Sequence, residues 1–299
     1  MSSGTPTASV PADRVPGGRV TREPFGARLQ ALRQARGPLC VGIDPHAGLL
    51  HAWGLPDDAS GLERFALTVV EALGEQVAAL KPQSAFFERH GARGIAVLER
   101  VLAATREAGA LSVLDVKRGD VGSTVEAYAQ AYLDPASPLC ADALTASPYL
   151  GFGSLLPFVD TALAHSGGVF VLALTSNPEG ASVQRAVGPD GRSVAGGVLD
   201  SVRELNRDPR AAGSIGVVVG ATVGDSGEDL RVGGPLLAPG LGAQGASAAD
   251  LRAVFGPALP DVLPSSSREV LRAGPSRRAL QEAAGRASAA YAAVLAAGR

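Results

Sequence analysis

A short apolar run, a polar or glycine-rich loop and an alanine-rich amphipathic stretch follow one another repeatedly along this chain. That recurrence narrows the possible folds more than any single motif. The apolar runs lie at residues 39–43, 77–80, 111–114, 143–146, 169–174, 215–219, 235–238 and 261–263. Between them, helical spacing of apolar residues marks 62–73, 94–107, 125–131, 154–165, 194–206, 227–232 and 248–255, with a closing helix at 276–297. Strands that alternate with helices are joined by right-handed crossovers into a parallel sheet, and eight such units close a (β/α)8 TIM barrel. The competing architecture is a doubly wound open sheet. It normally carries a G-x-G-x-x-G turn after its first strand, whereas the first run here opens into Gly42-Ile43-Asp44-Pro45-His46. The barrel is therefore the expected fold. One more helix, from near Pro24 to Gly37 with Phe25, Leu29 and Leu32 on one side, is placed to plug its bottom. Residues 1–22 are rich in Ser, Thr, Pro and Gly and are expected to form a disordered tail, leaving 23–299 as a single barrel domain.

Catalytic groups of such barrels sit at the C-terminal ends of the strands. Asp44 follows the first run, Lys81 the second, Asp115 and Lys117 the third, and Thr145 and Ser147 the fourth. Ser176 and Asn177, Thr222, residues 239–244 and residues 265–268 follow the remaining four. The third is the most informative. In Leu111-Ser-Val-Leu-Asp115-Val-Lys117, alternation puts Asp115 and Lys117 on the face of Leu111 and Val113, so two charges aim at whatever that strand buries. Unpaired, each costs several kcal/mol or more to desolvate, about enough to require a partner. Lys81, Asp115, Lys117 and Asp120 alternate in sign, so each helps keep its neighbour ionised, and Lys117 is suited to act as an acid. The glycine-rich loop APGLGAQG with Gln244, and Arg268 after the eighth run, fall where barrels of this kind hold a phosphate.

The composition excludes several classes of function. With 27 basic and 29 acidic residues and a formal net charge of -2, there is no electrostatic footprint for nucleic acid or an anionic membrane. No apolar run approaches the roughly 20 residues needed to cross a bilayer, and the first residues contain no continuous hydrophobic segment of the secretory type. Two cysteines, Cys40 and Cys140, and four histidines have neither metal-ligand nor disulfide spacing. A soluble, unprocessed protein of the reducing cytoplasm is expected, with no metal site. The cysteines and Trp53 read as packing residues and His46 as a loop residue.

The segment LDVKRGDVGST matches the D-x-K-x-x-D signature of the orotidine 5'-phosphate decarboxylases. VGIDPH, KPQSAFFERHG, TASPYLGFGSL, TSNPEG, VVVGAT, APGLGAQG and SSSREVLRAGP resemble the longer bacterial branch (type 2) of that family, from about Gly26 to the C-terminus. The resemblance implies conversion of orotidine 5'-monophosphate to UMP and CO2 without metal or organic cofactor, in a homodimer. It implies that Lys117 donates a proton to C6 of the pyrimidine, that Asp115 lies against the departing carboxylate, and that Lys81 orients Asp115 and contacts the ribose. Asp44 then binds the ribose, Gln244 and Arg268 hold the phosphate, and the loop at 239–244 closes over the base. Ser147 matches the residue that reads the pyrimidine edge, while Asp120 and Thr124 serve the neighbouring subunit's site. Two other readings stay open. One is a magnesium-dependent sugar-phosphate decarboxylase or synthase on the same barrel, against which Lys81 speaks, because those enzymes place a glutamate ligand at that strand end. The other is a catalytically inactive UMP-binding barrel, which gives no reason to bury such a charge array.

Overall fold

The computed structural model describes residues 22–242 and 246–297. The expected tail over residues 1–22 therefore lies, apart from Arg22, outside the described residues. Eight strands, β1 (Cys40–Ile43), β2 (Ala79–Pro82), β3 (Leu111–Arg118), β4 (Ala143–Ala146), β5 (Gly168–Leu174), β6 (Ile215–Val219), β7 (Leu236–Ala238) and β8 (Val262–Ser266), close into one parallel barrel in sequence order. β8 pairs back onto β1 at Cys40↔Ser265 and Val41↔Ser266. With helices interleaved around it, this is the (β/α)8 TIM barrel.

Because side chains alternate along each strand, one residue in two points inward. The lower inward layer is apolar: Cys40, Ala79, Leu111, Val113, Ala143, Phe170, Val218, Leu237 and Leu263 form one buried cluster. Two residues further along the strands the interior turns polar, at Lys81, Asp115, Thr145 and Ser265, all buried. This single step from apolar to polar separates the part of the barrel that holds the fold from the part that meets solvent.

The first helix, Phe25–Arg36, closes the apolar end. Phe25 and Leu29 belong to the interior cluster and Leu32 packs against it, with the Phe25 ring edge-on to Phe170 at 5.9 Å. Gly168 makes room for it, since a Cβ there would lie 2.4 Å from the Phe25 ring. Arg28 on the same helix donates to Asp142 at 2.7 Å and to the Ser166 carbonyl at 2.8 Å, fastening the plug to the rim. Around the barrel the helices bury one face each against the strands' outward residues. In Ala59–Leu73 the buried set includes Leu62, Phe65, Ala66, Val69, Val70 and Leu73, the spacing of one helical face, and the Asp58 side chain caps its N-terminus.

One expectation needs correction. Residues 227–232 are not helical. Asp225 accepts from the Gly227 amide at 2.9 Å, Ser226 from Glu228 at 3.2 Å and Asp229 from Arg231 at 3.1 Å. These local turns compete with the helical ladder, and Gly227 at φ +68° is outside the helical region altogether. β3, by contrast, runs past the apolar residues 111–114 to Arg118 and carries Asp115 and Lys117 with it, as the alternation suggests.

Candidate active site

The site is built around an irregularity at the end of β3. Leu114 pairs with Leu144 and Arg118 with Ala146, so Asp115, Val116 and Lys117 together face the single residue Thr145 on β4. Such a bulge breaks the ladder and re-aims side chains. Lys117 takes a positive φ of 46°, a conformation that costs an unbranched non-glycine residue about 1–3 kcal/mol and persists only where its surroundings hold it. Its amide, left without a ladder partner, donates to Thr145 Oγ1 at 2.9 Å. Asp115 and Lys117 do share the barrel mouth, as alternation suggests, but the bulge rather than a regular pleat sets the direction of Lys117.

Asp115 is the centre of this arrangement. Its Oδ2 accepts from Lys81 Nζ at 2.7 Å, and its Oδ1 accepts from Lys117 Nζ at 2.6 Å and from Thr145 Oγ1 at 2.9 Å. Its backbone carbonyl accepts from Gln83 Nε2 at 3.3 Å. Lys81 and Asp115 are buried, whereas the Lys117 side chain is 45% exposed and reaches into the mouth. Burial alone lifts the Asp115 pKa, but the two ammonium groups outweigh it and hold the carboxyl well below the usual range. Lys81 is the mirror case: burial lowers its pKa, and Asp115 and Asp44 more than reverse that. The pair is therefore ionised inside the barrel, with one lysine locked beneath the carboxylate and the other presented to a ligand.

These groups line a cavity of about 230 Å³ together with Asp44, Gln83, Pro239, Gly240, Ser265, Ser267 and Arg268. Asp44 Oδ1 and Ser267 Oγ are buried without a partner among the described residues. Polar atoms left unpaired in a cavity wall are what a polyhydroxylated ligand would satisfy. Arg268 stands at the first turn of a short helix, Arg268–Leu271, and is partly exposed. Arg268 and the glycine-containing loop after β7 thus share the cavity with Asp44, Lys81, Asp115 and Lys117. Cys40, buried below, has its thiol pushed up to about 12 by burial and is no nucleophile. Trp53 packs on Phe65 with ring centroids 4.2 Å apart, a structural role.

Of the residues singled out from the sequence, Asp44, Lys81, Asp115, Lys117 and Arg268 meet at this cavity. Asp120, Thr124 and Ser147 do not line it. Asp120 accepts from the Val121 amide at 2.8 Å and lies where the chain has left the mouth; Thr124, on the following helix Gly122–Leu133, is exposed. Ser147 donates its amide to the Arg118 carbonyl at 2.8 Å and packs over the bulge. Gln244 lies outside the described residues. Thr145 and Ser267, placed at strand ends by the sequence but given no part in the chemistry, also line the cavity, and so does Gln83, which sequence reasoning missed. Thr145 faces the interior because Ala143, two residues before it, does.

Comparison with known proteins agrees with this fold. Residues 37–283 match the model of the orotidine 5'-phosphate decarboxylase / HUMPS family. The chain is 66% identical over 265 residues to an orotidine 5'-phosphate decarboxylase of Salinispora tropica, covering 88% of this chain and 95% of that one. It is 61% identical over 265 residues to the enzyme of the same name from Streptomyces coelicolor, with the same coverage. Among solved structures, a Streptomyces avermitilis protein described as an orotidine 5'-phosphate decarboxylase superposes with a TM-score of 0.91 at 59% identity, over 95% of this chain and all (100%) of that one.

The charge array also governs stability. Asp115→Asn leaves Lys81 buried without its anion and is expected to cost about 3–5 kcal/mol at pH 7. Because the native pKa of Asp115 is depressed, its contribution is fully present above the unfolded value of about 3.9 and is lost as pH falls from there toward the native value. Urea unfolding of both proteins across pH should show a constant gap above about pH 5 that narrows below about pH 4. A gap that stays constant down to pH 3, on the order of a full unit below that unfolded value, would mean that the cost is one of packing and not of charge.

Proposed function

The chain belongs to the orotidine 5'-phosphate decarboxylase / HUMPS family, and from that premise we propose that it converts orotidine 5'-monophosphate to UMP and CO2 in pyrimidine nucleotide synthesis. Breaking the bond between C6 and the carboxylate leaves an electron pair at C6 with no conjugated sink. Catalysis then depends on fixed charge placed where the negative charge develops. Lys117 Nζ is the group that meets this demand: its ammonium faces the developing pair and transfers a proton to C6, and the amine regains a proton from solvent. Asp115 lies against the substrate carboxylate and fixes the ammonium that replaces CO2 as its neighbour. Lys81 holds Asp115 and contacts the ribose, and Asp44 accepts from ribose hydroxyls. Arg268 holds the phosphate with Gln244, and Ser147 reads the pyrimidine edge. The observation that carries this reading is the carboxylate of Asp115 held between Lys81 at 2.7 Å and Lys117 at 2.6 Å.

We propose further that the reaction needs no metal, supported by Lys81. A divalent cation wants anionic oxygens, and here an ammonium engages Asp115 Oδ2. A cytoplasmic setting is supported by the free, buried state of Cys40 and Cys140. Among the described residues no helix is long and apolar enough to cross a membrane. Purified protein given orotidine 5'-monophosphate should deplete its pyrimidine absorbance at the same rate with or without EDTA. Activity lost to EDTA and restored by Mg²⁺ would support the metal-dependent alternative, and no turnover under either condition would overturn the assignment.

The same reading makes the site a shared one, with Asp120 and Thr124 contributed to the neighbouring subunit of a two-fold dimer. Supporting it, the chain leaving β3 and β4 exposes apolar side chains beside these residues, Val121 at 56%, Tyr149 at 79% and Leu150 at 51%, and such patches mark contact surfaces. Asp120→Ala and Lys117→Ala should each be nearly inactive. Mixed and allowed to exchange subunits, they form heterodimers in which one site carries both defects and the other neither. Random assortment then restores up to about a quarter of normal activity, since half the dimers are mixed and each has one good site of two. If mass measurement verifies exchange and no activity returns, Asp120 works within its own chain.

A further inference from the structure

Thr145 has no part in the roles assigned so far, yet its hydroxyl makes two contacts at the centre of the site. It is 1% exposed and lies opposite the β3 bulge. Its Oγ1 accepts the Lys117 amide at 2.9 Å and lies 2.9 Å from Asp115 Oδ1. A hydroxyl has one hydrogen, and the Lys117 amide can only donate, so the Thr145 hydrogen points at Asp115. The same Asp115 oxygen takes the Lys117 ammonium at 2.6 Å. Lys117 is therefore held at both ends of one residue: by its backbone through Thr145, and by its ammonium through the carboxylate that Thr145 also fixes. The positive φ of Lys117 gives this clasp its purpose, because the bulge removes the ladder bond that would otherwise hold that amide.

We propose that Thr145 is a positioning residue for the proton donor, setting both the backbone of Lys117 and the carboxylate that orients its ammonium. The methyl group of Thr145 packs in the barrel wall; the hydroxyl does the positioning. This rests on the decarboxylase reading for its kinetic consequence, but not for its geometry.

Thr145→Val keeps the shape and deletes the hydroxyl, while Thr145→Ser keeps the hydroxyl and deletes the methyl. With orotidine 5'-monophosphate, Thr145→Val should lower kcat on the order of 100-fold, the scale of a misplaced reacting group. Its KM should change by less than about threefold, since the groups that bind ribose and phosphate are untouched. Thr145→Ser should stay within about threefold of the unsubstituted protein in both. Hydrogen exchange of the Lys117 amide, read by NMR without substrate, should accelerate at least about tenfold in Thr145→Val and not in Thr145→Ser, as expected for a local bond lost. Where Thr145→Val folds poorly, Thr145→Ala is compared with Thr145→Ser in the same way. Full kcat in the variants lacking the hydroxyl, or a serine variant as slow as the valine one, overturns the proposal. Absence of turnover in the unsubstituted protein sinks the decarboxylase reading instead, and the amide exchange then decides the clasp: unchanged protection in Thr145→Val overturns it on its own.

Discussion

Burying the carboxylate of Asp115 costs several kcal/mol, on the order of what only donors within hydrogen-bond distance can return. Three are present, Lys81 Nζ, Lys117 Nζ and Thr145 Oγ1, at 2.6–2.9 Å. Each comes from a different feature of the fold: Lys81 from β2, Lys117 from the bulge that ends β3, Thr145 from β4. The arrangement therefore exists only when adjacent strands are closed in register. That in turn requires the apolar layer beneath, where Phe25 of the plugging helix fills the space against Phe170 and Gly168 leaves room for it. The interior apolar layer lies at one end of the barrel and the Lys81–Asp115–Lys117 array at the other.

The division explains how a chemically demanding site is tolerated. Two lysines and a carboxylate in a barrel interior are costly if any one is removed, but together they satisfy one another, and the lysine facing the cavity is the one with solvent access. Lys81 is held permanently by Asp115, so its charge contributes a fixed field. Lys117 is constrained at its base through Thr145 and has its ammonium on Asp115 at the edge of the cavity, which suits a group that must give up a proton at a defined place. The cationic Arg268 and the loop after β7 line the same cavity as this pair, so one ligand can meet both an anion-binding group and the charge array.

Much of this was legible in the sequence. The recurring strand and helix signals point to the barrel, and the strand ends they define already bring Asp44, Lys81, Asp115, Lys117 and Arg268 to one mouth. What could not be read came from local competition and from irregular backbone. Residues 227–232 have helical spacing, yet Asp225, Ser226 and Asp229 bond to nearby amides and turn the chain instead. The β3 bulge is invisible to a rule of strict alternation, so the role of Thr145, which exists only because the bulge strands an amide, was invisible with it. Asp120, Thr124 and Ser147 stand outside the cavity of a single chain, and no periodicity within one chain could assign them to a site.

The account stands on Lys117 as the group that exchanges a proton with C6. By microscopic reversibility, the residue that protonates C6 after CO2 leaves also removes the C6 proton from bound UMP. Incubated with UMP in D2O and followed by proton NMR, the protein should wash deuterium into C6 while leaving C5 untouched, and Lys117→Ala should abolish that exchange while still binding UMP. Exchange at C6 that persists undiminished in Lys117→Ala would contradict the account, because the proton would then come from elsewhere.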